Sequence, residues 1–292
     1  MTRLLPKTKV GLVPLNWKFQ MATSEDFLRR IRDYGFKGIQ ISVMQANSDK
    51  FLGLMKENGL VAAEQYLDIS CDENGPLQSA DAHSQEIIDA AIRAKVEMLV
   101  FAVDGTPERD VHAGRSHLGP HLNENGYKRL ADHISRYALI AKTANIRSSF
   151  HQHAATYIET PDETRKLMSL LDHNLVGLCL DVGHWLVGGG QPIESVIEYG
   201  NRITHVHIKD VDPEILKKLI AGQYQGMHDA VENHYLFVPA GEGALNLSNL
   251  FHELEKIEFH DWMMSEQDKA RDPAEEKSGV SMGNIEAALN ER

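Results

Sequence analysis

Eight short apolar runs, with amphipathic stretches between them, constrain the fold of this chain more than any other feature. They cover residues 9–15, 38–41, 61–69, 98–102, 147–151, 176–180, 203–208 and 259–265. Several are continuous rather than alternating, which is how a strand covered on both faces reads. The stretches between them carry helix signals. Thr23-Ser24, followed by Glu25-Asp26, starts one that runs to Tyr34. Residues 123–144 make the longest. Thr160-Pro161-Asp162-Glu163 opens one that reaches Leu171, with proline at the favoured first helical position. Residues 192–199 and 248–257 supply two more. Strand–helix alternation favours a parallel sheet, and eight units favour its closure. The expected fold class is therefore α/β, a single (β/α)8 or TIM barrel forming one domain over residues 1–292. No Gly-x-Gly-x-x-Gly turn follows the first run, which counts against an open dinucleotide-binding sheet. Two longer segments, 104–122 and 210–243, follow the fourth and seventh runs and should overhang the strand C-termini, where such barrels carry their chemistry. Gly188-Gly189-Gly190 reads as a mobile loop.

Charge narrows the partners. A formal net charge of -12 repels nucleic-acid phosphates and anionic membranes, and no Lys/Arg run is long enough to override it. The expected partner is a small molecule, with no nucleic acid and no membrane. No apolar run approaches the roughly 18 residues of a transmembrane helix, and the opening MTRLLPKTKV lacks a signal-peptide core. The two cysteines, Cys71 and Cys179, form no CxxC pair, so no disulfide framework is expected and the reading is cytoplasmic.

Four of the runs end in a metal-ligand type: His151 in RSSFHQH, Asp181 in VGLCLDVGH, His207 in ITHVHIKD and Glu266 in FHDWMMSE. In a parallel barrel those ends converge on one mouth. Two imidazoles and two carboxylates suit a borderline divalent ion such as Mn, Co, Fe or Zn. In the seventh run His205, His207 and Lys209 share one face by strand alternation. Burying three titratable groups is costly without partners, which a metal and a polar substrate would supply. A lone histidine is more often a packing residue; the HxHxK pattern argues otherwise. Asp181 reads equally as the cap of the next helix. His184, three residues on, reads as a substrate contact or as a group orienting a ligand. His151 and His153 face the same way, so either is a strand-five ligand. Glu159 is a third candidate that also reads as a helix-start carboxylate. Glu266 competes with nearby Asp268. Glu64, Asn16 and Trp17 are candidate substrate contacts, Asn16 as a donor to a hydroxyl and Trp17 as a cover for a sugar-like ring. Turn and packing roles fit the last two as well.

The strings FHQHAATYIETPDE, VGLCLDVGHWLVGGG, ITHVHIKDVDPEIL, VPAGEG and DWMMSEQD resemble the xylose isomerase-like family of sugar phosphate isomerases and epimerases, which are metal-dependent TIM barrels. The resemblance spans nearly the whole chain. Within the family they look most like the branch that dehydrates keto-inositols, which also has an opening similar to Gly11–Trp17. The resemblance implies one divalent cation (Mn or Co, with Mg, Fe or Zn as alternatives) held by His151, Asp181, His207 and Glu266. His184 matches a residue near substrate. It implies a metal-dependent hydro-lyase acting on a keto-inositol or related keto-sugar, and a homo-oligomer as the assembly to test. Epimerases of the family usually place a glutamate where His151 stands, so a two-carboxylate relay is harder to build here. A keto-sugar epimerase or isomerase is thus the alternative, and a lyase acting on 3-keto-glycosides a third. Gln152 and Ala154-Ala155 depart from the branch, which often has His and Met-Gly there. In the expected elimination, Lys209 places positive charge near the reacting carbons, with a pKa lowered by burial, while His153 or His184 carries the proton.

Overall fold

The computed structural model describes residues 3–271 and 273–291. Eight strands form a closed barrel: β1 (Lys9–Val13), β2 (Gly38–Gln40), β3 (Val61–Ile69), β4 (Met98–Val103), β5 (Arg147–His151), β6 (Gly177–Asp181), β7 (Ile203–Ile208) and β8 (Trp262–Glu266). Every neighbouring pair is parallel, and β8 pairs with β1 to complete the ring. This is a (β/α)8 TIM barrel. β1 stops at Val13 because Pro14 has no N–H with which to extend the ladder. β6 runs one residue further than the apolar pattern, so Asp181 is itself a strand residue.

Continuous apolar runs arise because both faces are covered. All six residues of β4 are buried. Leu99, Phe101 and Val103 join the large layer between sheet and helices, while Met98 and Val100 meet Cys179 inside the ring. Each fully buried Leu or Phe contributes about 1.5–3 kcal/mol. The helix Glu25–Tyr34 is capped by Ser24, whose Oγ accepts from Phe27 N–H at 3.1 Å. The helix Pro161–Leu170 has a full capping box between Thr160 and Glu163. The 20-residue helix Glu124–Thr143 follows β4, and Pro192–Tyr199 and Leu247–Lys256 follow β6 and β7.

Two long helices lie outside those expected, Ala80–Ala94 and Ala274–Asn290. The second contains Gly279, where a Cβ would come within 2.8 Å of the Tyr34 ring. The glycine serves close packing at the expense of helix propensity, which hides the element from a pattern reading. Within the glycine run read as a mobile loop, Gly188 and Gly190 are closely packed, while Gly189 is exposed with a left-handed φ of 83°. A Cβ at Gly188 would strike the Glu159 carbonyl, and one at Gly190 the Trp185 indole.

The two overhanging segments form a partial roof over the strand C-termini. Asp210–Val211 pairs with Phe237–Val238 as an antiparallel ribbon. Asp210 then fastens the turn beyond it, accepting N–H bonds from Val211, Gly241, Gly243 and Leu245 at 2.8–3.0 Å. The segment after β4 joins this roof where His228 N–H donates to Asp110 at 2.8 Å. Among the described residues no helix is long and apolar enough to cross a membrane. Cys71 and Cys179 are free and buried.

Candidate metal centre

Four consecutive strands deliver one side chain each to the same point. His151 ends β5, Asp181 ends β6, His207 lies near the end of β7, and Glu266 ends β8. The ladder pairs Asp181 with His207, while His151 pairs with Cys179 and His207 with Met264, each two residues short of the next donor, a stagger that runs in one direction round the ring. Ligand atoms of His151, Asp181, His207 and Glu266 all lie within 4.8 Å of one another, and all four residues are buried. His153 and Glu159 are not part of this group.

Asp181 divides its oxygens. Oδ1 accepts from His184 N–H at 2.8 Å and caps the helix Val182–Val187, while Oδ2 sits 3.3 Å from His151 Nε2. The cap reading and the ligand reading are therefore compatible. His207 Nδ1 and Glu266 Oε2 are 2.6 Å apart, yet neither has a hydrogen-bond partner. Two buried lone-pair atoms facing one point are what a shared cation would satisfy, and an N2O2 set of imidazole and carboxylate is its ordinary company. The residues present thus fit a divalent metal.

A second group lies against the first. Lys209, one strand step beyond His207, is wholly buried, and its Nζ meets Glu266 at 2.8 Å, His184 Nε2 at 2.9 Å and Asp268 at 3.1 Å. Burial alone would lower its pKa, as expected from the sequence. Asp268, Glu266 and Asp181 outweigh burial, so the ammonium is held above its ordinary range. His184 lies against His153, with ring centroids 3.7 Å apart and the planes tilted by 37°. Burial lowers both imidazoles, His153 to about 3 and His184 well below its usual value, with neighbouring positive groups adding to the effect. Burial pushes Asp268 up to about 6 against the pull of Lys209.

The remaining candidates are placed differently. Glu64 is fully buried inside the barrel, bonded to His205 and to His207. Trp17 is 6 % exposed, donates its indole N–H to Ser278 at 2.9 Å and meets Phe27 edge-on. It also lines, with Asn16, Tyr235 and Asp268, an open cleft of about 720 Å³. Two residues at the site went unremarked as candidates in the sequence. Tyr66, on β3, meets His151 edge-on at 5.7 Å, and burial, then Glu266 and Asp68, keep its phenol protonated. Its signal was the alternation Glu64, Tyr66, Asp68. Gln152 donates to the Asp181 carbonyl at 2.7 Å and so braces the end of β6; it carried no such signal.

The profile of the xylose isomerase-like TIM barrel family matches residues 28–286. An inosose dehydratase of Clostridium tetani is 32% identical over 280 residues, covering 91% of this chain and 92% of that protein. One from Clostridium botulinum (strain Eklund 17B) is 27% identical, with 90% of each chain covered. Among solved structures, the probable 3-DHS dehydratase AsbF of Bacillus anthracis superposes with a TM-score of 0.72 at 17% identity, over 95% of this chain and 98% of that one.

Proposed function

The chain belongs to the xylose isomerase-like TIM-barrel family, and from that premise we propose that it is a divalent-metal-dependent hydro-lyase acting on a keto-inositol or a related keto-sugar. The observation that carries this reading is the Lys209–His184 contact at 2.9 Å, set directly against the ligand cluster. The inosose dehydratases matched over nine-tenths of the chain support the substrate class.

A divalent cation held by His151, Asp181, His207 and Glu266 would supply Lewis acidity to a ketone oxygen. The protein groups do the rest. His184, kept neutral by burial, accepts the proton as the C–H bond beside the ketone breaks. His153, in contact with it, is the alternative acceptor. Lys209, kept as an ammonium by its carboxylates, turns from His184 Nε2 to the β-hydroxyl, which frees that lone pair for the substrate proton, and donates a proton as the C–O bond breaks. A C=C bond forms next to the ketone and water leaves. The imidazole has gained one proton and the amine has lost one, and their hydrogen bond returns it. Asn16 and Trp17 border the adjoining cleft and would meet the far hydroxyls of the ring.

The test is to incubate metal-loaded protein with 2-keto-myo-inositol in D2O. A rising ultraviolet absorbance from a conjugated ketone is expected. Deuterium uptake without absorbance would replace the lyase with an epimerase, and neither signal with any ketose offered would sink both.

A further inference from the structure

The ligand cluster has a polar floor that the elimination does not use. Glu64, on β3, crosses the barrel interior and places Oε2 between two imidazoles, 3.0 Å from His207 Nε2 and closer still to His205 Nε2. All three side chains are at most 1 % exposed, and Met98, Val100 and Cys179 form an apolar cluster inside the same ring. Only Oε2 is paired, while Oε1 is buried without a hydrogen-bond partner, so the carboxylate is costly there and packing gives no reason for it.

Its effect on His207 is specific. A neutral imidazole has one N–H and one lone pair, and a carboxylate only accepts. The proton therefore belongs on Nε2, facing Glu64, and the lone pair on Nδ1. That nitrogen faces the other side, 2.6 Å from Glu266 Oε2 and 3.8 Å from Asp181 Oδ2. We infer that Glu64 is a positioning residue, which fixes the tautomer of His207 and aims its Nδ1 lone pair into the ligand cluster, and that it does not touch substrate. The inference deepens the metal reading above and rests on it. His205 completes the arrangement by holding the same oxygen of Glu64 in place.

Glu64→Gln tests it, because the substitution keeps the shape but offers an N–H where the carboxylate only accepted. His207 is then free to carry its proton on Nδ1. Outer partners of this kind are worth about 10–100-fold in metal affinity, and a loss of that size is expected for Co(II), measured by equilibrium dialysis. The solvent-exchangeable, paramagnetically shifted proton of His207 Nε2 should also move or vanish in the Co(II)-loaded variant. Wild-type affinity with an unchanged proton signal overturns the inference. If the variant fails to fold, the wild type decides by nitrogen NMR of its Zn(II) form. Metal on Nδ1 and proton on Nε2 support the assignment; the reverse overturns it. A wild-type chain that binds no divalent ion brings down the metal reading itself, an outcome distinct from wild-type binding matched by the variant.

Discussion

Asp181 shares its two oxygens between a backbone N–H and the ligand cluster, so its two jobs can be separated. Asp181→Asn keeps an oxygen for the cap and loses the charge that faces His151. Metal affinity should fall at least about 100-fold, while the melting temperature of the metal-free protein stays near wild type; dialysis and thermal scans report the two. Asp181→Ala should cost roughly a further 1 kcal/mol through the lost cap. Lys209→Met and His184→Asn should each cut turnover by about 10²–10⁴-fold with bound metal still near one per chain. Loss of metal in either variant would move that residue to a structural role. That His151, Asp181, His207 and Glu266 meet was legible because each stands at or near the end of an apolar run, and the end of a parallel strand is a position in space. Protonation was not. Lys209 stays charged because of Glu266 and Asp268, which lie nearly sixty residues further along the chain, and no local pattern announces that neighbourhood.

Glu159 ties two loops of the rim together. Its oxygens accept from Ala155 N–H at 2.7 Å and from Gly114 N–H at 2.8 Å, and Ala155 adopts a left-handed φ of 65°. Burial raises its carboxyl to about 7 from an ordinary 4.5, against the pull of those two N–H groups and of Arg109. The folded state therefore keeps this proton where the unfolded chain has released it. Stability should be complete below the ordinary value and fall as pH rises through about 4.5 to 7, by up to about 3 kcal/mol. Urea titrations across that window should show the fall in the wild type and not in Glu159→Gln. That variant should also be weaker at low pH, since its amide nitrogen confronts an N–H donor. A flat wild-type profile would refute the assignment. Elements were legible wherever apolar periodicity and a cap agreed, as with Ser24 and with the Thr160–Glu163 box. They were hidden where tertiary packing chose the residue, as with Gly279 against Tyr34. The ribbon Asp210–Val211/Phe237–Val238 was hidden too, because a two-residue strand has no period to read.

At the scale of the whole molecule, metal and fold should be coupled. Without a cation, two carboxylates and two imidazoles share one buried point with unmet lone pairs. Free Mn(II) or Co(II) at about 100 times its Kd should stabilise the chain by about 2.7 kcal/mol, which for a 292-residue protein is a rise of roughly 4 °C in melting temperature. Scanning calorimetry before and after chelation measures it, and equal melting temperatures at saturating metal would contradict the shared site. The barrel closure also has a geometric result. All four donors come from β5, β6, β7 and β8, which are neighbours in the ring. If these residues hold the metal as proposed, the chemistry is confined to one arc of the rim, and the loops of the opposite arc answer to no coordination requirement. Those loops can drift in length and sequence, or be exchanged by design, to suit a different sugar while the reacting machinery stays untouched.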